Sequence, residues 1–362
     1  MSVGLVGASA GPVWGVPAKP VVSITPEAGA TQIRPDTPIV VRVGRGRLDK
    51  VEAGVDGVYS ADRTVWRSAA LHEGRTYTVT ARATGAGETV AVSRFSTLKV
   101  VKILKITEIT PKAGERVGVG MPIIVTFNRR VRERAAVTRA LWVDTEQVGA
   151  WRWVAPNRVV FRTRDHWRPL QRVTLRARLA WTRSAPGTYG VADRTRSFTV
   201  DRALTSTIST RSHVMTVRRN GKIIRRIRIS AGNGATPGTT TTTGVHLAMA
   251  KTDPERMISP GRRPGDPGYY DMRVSSAVRI SDSGEFVHAA PWSVSAQGNR
   301  NVSHGCVNVS PADARWFYRR TLRGDIITIT GTKRILDWRN GWGFWQVPWS
   351  VWTGRTGSRP TR

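Results

Sequence analysis

A chain of 362 residues with 40% hydrophobic content holds enough apolar mass for two or three packed domains of roughly 100–200 residues each. Its 57 Lys and Arg against 25 Asp and Glu leave a net charge of +32, which calls for a large anionic partner: nucleic acid, a membrane surface or an acidic cell wall. No stretch approaches the ~20 apolar residues of a membrane span, and a single cysteine excludes an internal disulfide.

In chain order, residues 1–19 come first. Val3-Gly4-Leu5-Val6-Gly7 followed by Ala8-Ser9-Ala10 has a small-x-small cleavage pattern without a basic n-region. This segment reads as the tail of a leader peptide starting upstream, or as a flexible terminus. Next, Ile24-Thr25-Pro26-Glu27-Ala28-Gly29 recurs as Ile109-Thr110-Pro111-Lys112-Ala113-Gly114, and Pro38-Ile39-Val40-Val41 recurs as Pro122-Ile123-Ile124-Val125. The copies end alike, with Arg94-Phe95-Ser96-Thr97 and Arg196-Ser197-Phe198-Thr199. Short alternating runs such as Thr76-Tyr77-Thr78-Val79, separated by Gly/Pro turns, predict antiparallel sandwiches of immunoglobulin type over 20–102 and 103–201. Such modules carry few titratable clusters and read as spacers; Trp142, Trp151, Trp153 and Trp167 are assigned to core or interdomain packing.

A third, β-rich unit is expected over 202–331. Asn220-Gly221 between alternating runs predicts a two-residue hairpin, because a type I′ turn needs positive φ at both positions. A run of five threonines, Thr239 to Thr243, follows Pro237-Gly238 and precedes the strand Val245 to Met249. Pro254 to Tyr270 is rich in proline and glycine and too long for a plain connection, so it reads as a lid or binding loop. Only Pro311 to Tyr318 looks helical, with Ser310 as N-cap and Pro311 at the first position. In 332–362, Trp338, Trp342, Trp345, Trp349 and Trp352 are interrupted by Gly341, Gly343 and Pro348, which predicts a non-helical strap packed on the third unit.

The chemistry concentrates at Ser303-His304-Gly305-Cys306-Val307-Asn308, whose cysteine comes eighteen residues after His288. A free thiol at neutral pH is only a few per cent thiolate and needs a base, for which His288 is the candidate. With Ala289 next in sequence, a backbone carbonyl has to orient the imidazole. Gly305 permits a tight backbone whose amides around His304 to Cys306 suit an oxyanion. One Cys and two His fall short of a four-ligand zinc site, so no metal and no cofactor is expected. A serine hydrolase lacks its Gly-x-Ser-x-Gly elbow. Nucleic acid is set aside as partner, since no helix-turn-helix, zinc finger or RNP-type strand accompanies the charge.

The pattern of a histidine followed at distance by Ser-His-Gly-Cys-x-Asn, with Ser283 to Gly298 and Pro311 to Tyr318 around it, resembles the L,D-transpeptidases of the YkuD type. The chain is most similar to the actinobacterial, mycobacterial-type branch, with two immunoglobulin-like modules before the catalytic domain and a tryptophan-rich strap after it. The resemblance implies a mostly β protein with one or two short helices in the catalytic domain. It further implies an extracytoplasmic enzyme that attacks a peptidoglycan tetrapeptide stem, releases D-alanine, and passes the acyl group to a diaminopimelate amine as a 3→3 cross-link. By the same resemblance Cys306 is the nucleophile, His288 the base, and His304 with Gly305 shapes the oxyanion site. Tyr270 and, more loosely, Met257 match lid positions, while Trp292, Ser303, Ser283 and Asn308 line the site. Carbapenem-class β-lactams are the implied covalent inhibitors, and stem peptides and the anionic wall the implied partners. Two alternatives stand beside this reading: an L,D-carboxypeptidase using the same site, and a non-enzymatic wall-binding module.

Overall fold

The computed structural model describes residues 18–259, 261–266 and 269–354; the leader-like segment through residue 17 and the last eight residues lie outside them. The described chain divides after Lys102 into two compact units. In the first, strands Val21–Thr25, Val40–Gly44, Val65–Ser68 and Gly57–Tyr59 form one antiparallel sheet. Gly46–Glu52, Thr76–Gly85 and Gly87–Ser96 form the other. Alternate residues point inward, so Val41, Val43, Trp66, Val79, Ala81 and Phe95 meet between the sheets as one core.

The second unit opens with the other sandwich. Strands Arg116–Val117, Arg194–Val200, Gln171–Ala177 and Leu141–Asp144 make one sheet. Gly149–Ala155, Arg158–Thr163, Ile123–Phe127 and Ile106–Thr110 make its partner. The repeat seen in the sequence is also a repeat of backbone. Gly29 and Gly114 sit at φ +83° and +68°, and each donates its N–H to the final strand of its own sandwich, at Arg94 O (2.8 Å) and Ser197 O (2.9 Å). Glycine is required there because a side chain is strained at such φ. Trp151 and Trp167 are buried core, but Trp142 is 46% exposed on the sheet surface and packs no interior.

Behind this sandwich lies a five-stranded sheet in the order Lys222–Arg228, Val214–Arg219, Leu204–Ser209, Ile326–Thr330, Gly244–Leu247. A four-stranded sheet follows: Ala250–Thr252, Ala277–Arg279, Phe286–Ala289, Val307–Val309. Asn220 (φ 49°) and Gly221 (φ 82°) make the expected hairpin turn. Helix Pro311–Arg320 starts as read, with the Ser310 hydroxyl accepting from the Asp313 amide, and it packs Ala314 and Phe317 into the core beneath the second sheet. The segment read as an irregular loop instead begins as a strand. Glu255–Ile258 pairs with Asp271–Val274 in a two-stranded ribbon that pairs Met257 with Met272.

The tryptophan segment bonds the third unit, Gln346 accepting from the Val245 amide at 2.8 Å, and packs as well on the second sandwich, which its spacing did not indicate. Trp352 is 1% exposed and, with Phe344 and Val347, covers Ile124, Ala150 and Val160 of the second sandwich. Its indole N–H donates to Ala150 O at 3.0 Å, and Trp345 donates to Gly120 O at 2.9 Å. The reason is Arg162: buried, and pushed by that burial down to about 10, its guanidinium lies 4.8–5.3 Å from the rings of Trp345, Trp349 and Trp352. Despite the glycines, one 3₁₀ turn (Gly343–Gln346) and one α turn (Trp349–Trp352) form. The sandwich is further welded to the third domain, since Leu247 and Ile326 enter its core and Arg323 pairs with Glu115 at 2.9 Å. Trp352→Ala is therefore expected to destabilise the second unit by about 3–5 kcal/mol, read as a lower melting temperature of the full chain; a shift within error would refute the strap's role.

Candidate active site

Strand Phe286–Ala289 runs parallel to Val307–Val309, with Val287 opposite Val307 and His288 opposite Asn308. Strand alternation then sorts the side chains. Val287, Ala289, Val307 and Val309 enter the core, so Phe286, His288 and Asn308 take the other face. Cys306, one residue before Val307, falls on the same face as His288 and packs beside Phe286. Both line a cleft of about 390 Å³ together with Met257, Tyr270, Trp292 and His304.

His288 is 3% exposed, and its Nδ1 lies 2.9 Å from Ala289 O. A carbonyl only accepts, so Nδ1 carries the proton and Nε2 presents a lone pair. The main-chain carbonyl thus supplies what the Ala289 side chain cannot. Burial holds His288 below its usual value, partly offset by that carbonyl. Burial likewise pushes the Cys306 thiol up to about 12, against the Phe286 amide, which lowers it. The sulfur donates to Gly284 O at 3.6 Å. At neutral pH the site therefore rests as neutral thiol and neutral imidazole.

The remaining residues singled out in the sequence mostly converge here. The Ser303 hydroxyl donates to Cys306 O (2.6 Å) and accepts from the Gly305 amide (3.1 Å), closing the motif on itself. Gly305 sits at φ +127°, a conformation that disfavours any side chain. Tyr270 reaches down from the lid to place its ring 5.3 Å from His304. Trp292 is 55% exposed at the rim, 6.1 Å from the His288 ring. Asn308 donates to Ser293 Oγ at 3.1 Å.

Ser283 is the exception. It bonds Asn340 of the tryptophan segment, through its amide and its hydroxyl (both 2.9 Å), and does not line the cleft. Its role is to anchor that segment to the turn before Phe286. Arg300, Met272 and Ser293 line the cleft without having been singled out, because isolated residues carry no motif. Thr241, whose hydroxyl donates to Gly305 O at 2.7 Å, was signalled only by the threonine run.

Comparison with known proteins gives the family of each part of the chain. Residues 30–182 match the family model of the bacterial Ig domain, and residues 205–329 match that of the L,D-transpeptidase catalytic domain. The chain is 33% identical over 341 residues to L,D-transpeptidase 2 of Mycobacterium tuberculosis, covering 90% of this chain and 82% of that one. To L,D-transpeptidase 5 of the same species it is 32% identical over 363 residues, covering 95% and 78%. Among solved structures, an L,D-transpeptidase in complex with imipenem aligns at TM-score 0.54 and 34% identity over 62% of this chain and 98% of that one. An L,D-transpeptidase from Mycobacterium smegmatis aligns at TM-score 0.52 and 30% identity over 63% and 99%. Fold and matches define an acyltransferase with immunoglobulin-like modules ahead of its catalytic domain. The chain belongs to the L,D-transpeptidase family.

Proposed function

We propose that this enzyme cross-links peptidoglycan 3→3 through a thioester on Cys306. The observation that carries the reading is that His288, on one strand, and Cys306, one residue before the strand paired with it, line one cleft, with Nε2 of His288 left unprotonated. The donor is a tetrapeptide stem held beneath the lid. As sulfur attacks the carbonyl of the third residue, its proton passes to Nε2; the tetrahedral intermediate collapses with that proton delivered to the departing D-alanine amine. The Gly305 amide is held by Ser303, so the amides of His304 and Cys306 are assigned to the developing oxyanion. The side-chain amine of a diaminopimelate on a second stem then loses a proton to His288 and displaces the thiol.

The solved relatives include one in complex with imipenem and one carrying a faropenem-derived adduct, which supports reaction of this thiol with the same β-lactam class. Such substrates lie outside the cytoplasmic membrane, and a charge of +32 suits a wall rich in carboxylate and phosphate. Incubation of the full chain with purified tetrapeptide muropeptides, followed by mass spectrometry, tests the proposal. Free D-alanine with 3→3 dimers is expected. Tripeptide without dimers would assign the site to L,D-carboxypeptidase hydrolysis, and no turnover would leave a wall-binding module.

A further inference from the structure

The run Thr239 to Thr243 has no part in the chemistry above, yet it passes directly behind the nucleophile loop. Thr241 is fully buried; its hydroxyl donates to Gly305 O at 2.7 Å and accepts from the Gly232 amide at 2.8 Å, so its one proton and an acceptor site are both committed. Its neighbour Thr242, also buried, is fastened to Glu285: the amide donates to one carboxylate oxygen and the hydroxyl to the other, both at 2.7 Å. Glu285 in turn immediately precedes Phe286, whose amide faces the Cys306 sulfur. The run is thereby tied to the strand bearing the base and to the loop bearing the nucleophile.

The bond to Gly305 has a consequence set by peptide geometry. In a trans peptide the carbonyl of one residue and the N–H of the next point in opposite directions within one rigid plane. Holding Gly305 O toward Thr241 therefore fixes the direction of the Cys306 N–H. Ser303 holds the peptide planes on either side, through the Gly305 amide and the Cys306 carbonyl, but no side chain at Gly305 helps to hold this one, where a Cβ would meet nothing closer than 3.8 Å. We propose that Thr241 is a positioning residue that aims the Cys306 amide at the oxyanion, with the Thr242–Glu285 bonds anchoring the run that carries it. The inference rests on the nucleophilic role of Cys306.

The test compares two rates on the full chain: acylation by imipenem, which passes through an oxyanion, and alkylation by iodoacetamide, which does not. Thr241→Val keeps the shape and removes the hydroxyl. Its acylation is expected to slow on the order of 10²-fold, the loss typical of one oxyanion donor, while alkylation stays within about 3-fold. Thr241→Ser restores the donor and should recover acylation to within about tenfold of wild type. Acylation of Thr241→Val within about 3-fold of wild type overturns the proposal. A parallel fall of both rates also overturns it, by reducing Thr241 to fold support. Should the valine variant not fold, Thr241→Ala carries the same thresholds. Cys306→Ala run alongside separates the levels: an imipenem adduct on it would defeat the nucleophile reading itself, whatever Thr241→Val does.

Discussion

Cys306→Ala is expected to abolish 3→3 cross-linking, a loss on the order of 10⁶-fold or about 8 kcal/mol of transition-state stabilisation. Ser303, its neighbour in the motif, cannot take its place, since that hydroxyl donates its proton to Cys306 O and accepts from the Gly305 amide. The fold should hardly register the change. Cys306 packs only at the edge of a small cluster with Met257, Val274, Ala277 and Phe286, and removing one sulfur should shift the melting temperature by no more than about 2–4 °C. Dimer formation measured on purified muropeptides beside a melting curve checks both halves. Residual cross-linking by a folded Cys306→Ala protein would contradict the covalent route.

His288→Gln is expected to lower turnover by about 10²–10⁴-fold and to change the shape of the pH profile. In the wild type the base must be neutral to receive the thiol proton. Because burial lowers the His288 pKa, protonation disables it only below the ordinary histidine value of about 6.5. Activity should thus fall in acid and stay level through the alkaline range, as the thiol itself titrates near 12. A preformed thiolate–imidazolium pair would behave oppositely, losing activity once the imidazolium deprotonates. Without the imidazole the thiolate must come from solvent, so in the variant the acid limb should give way to a rate climbing about tenfold per pH unit. An unchanged acid limb in His288→Gln would remove His288 from the proton transfer.

Much of this was legible in the sequence because it rests on local rules. The Asn220-Gly221 turn and the Ser310 cap are each set by residues adjacent in the chain, the internal repeat shows as a recurring string, and all three are present in the fold. The motif from Ser303 to Asn308 announced the cleft for the same reason: the Ser303 hydroxyl, the Gly305 amide and the Cys306 carbonyl close on one another within four residues. What stayed hidden depends on contacts between distant segments. Arg162 draws the tryptophans onto the second sandwich, and nothing in the spacing of Trp345, Trp349 and Trp352 points to one buried arginine some 190 residues earlier. Ser283 looked like a site residue by its place in the motif region, but Asn340 claims its hydrogen bonds. Strand formation in the lid needed the pairing of Met257 with Met272, which lie fifteen residues apart in the sequence.

The most direct measurement is the intact mass of the full chain after incubation with imipenem at neutral pH, followed by peptide mapping. One adduct per chain on the peptide containing Cys306 is the expected result, because the only thiol in the sequence lines the same cleft as His288, whose Nδ1 carries the proton. A folded protein that gains no mass, or carries the adduct on a different residue, would contradict the account.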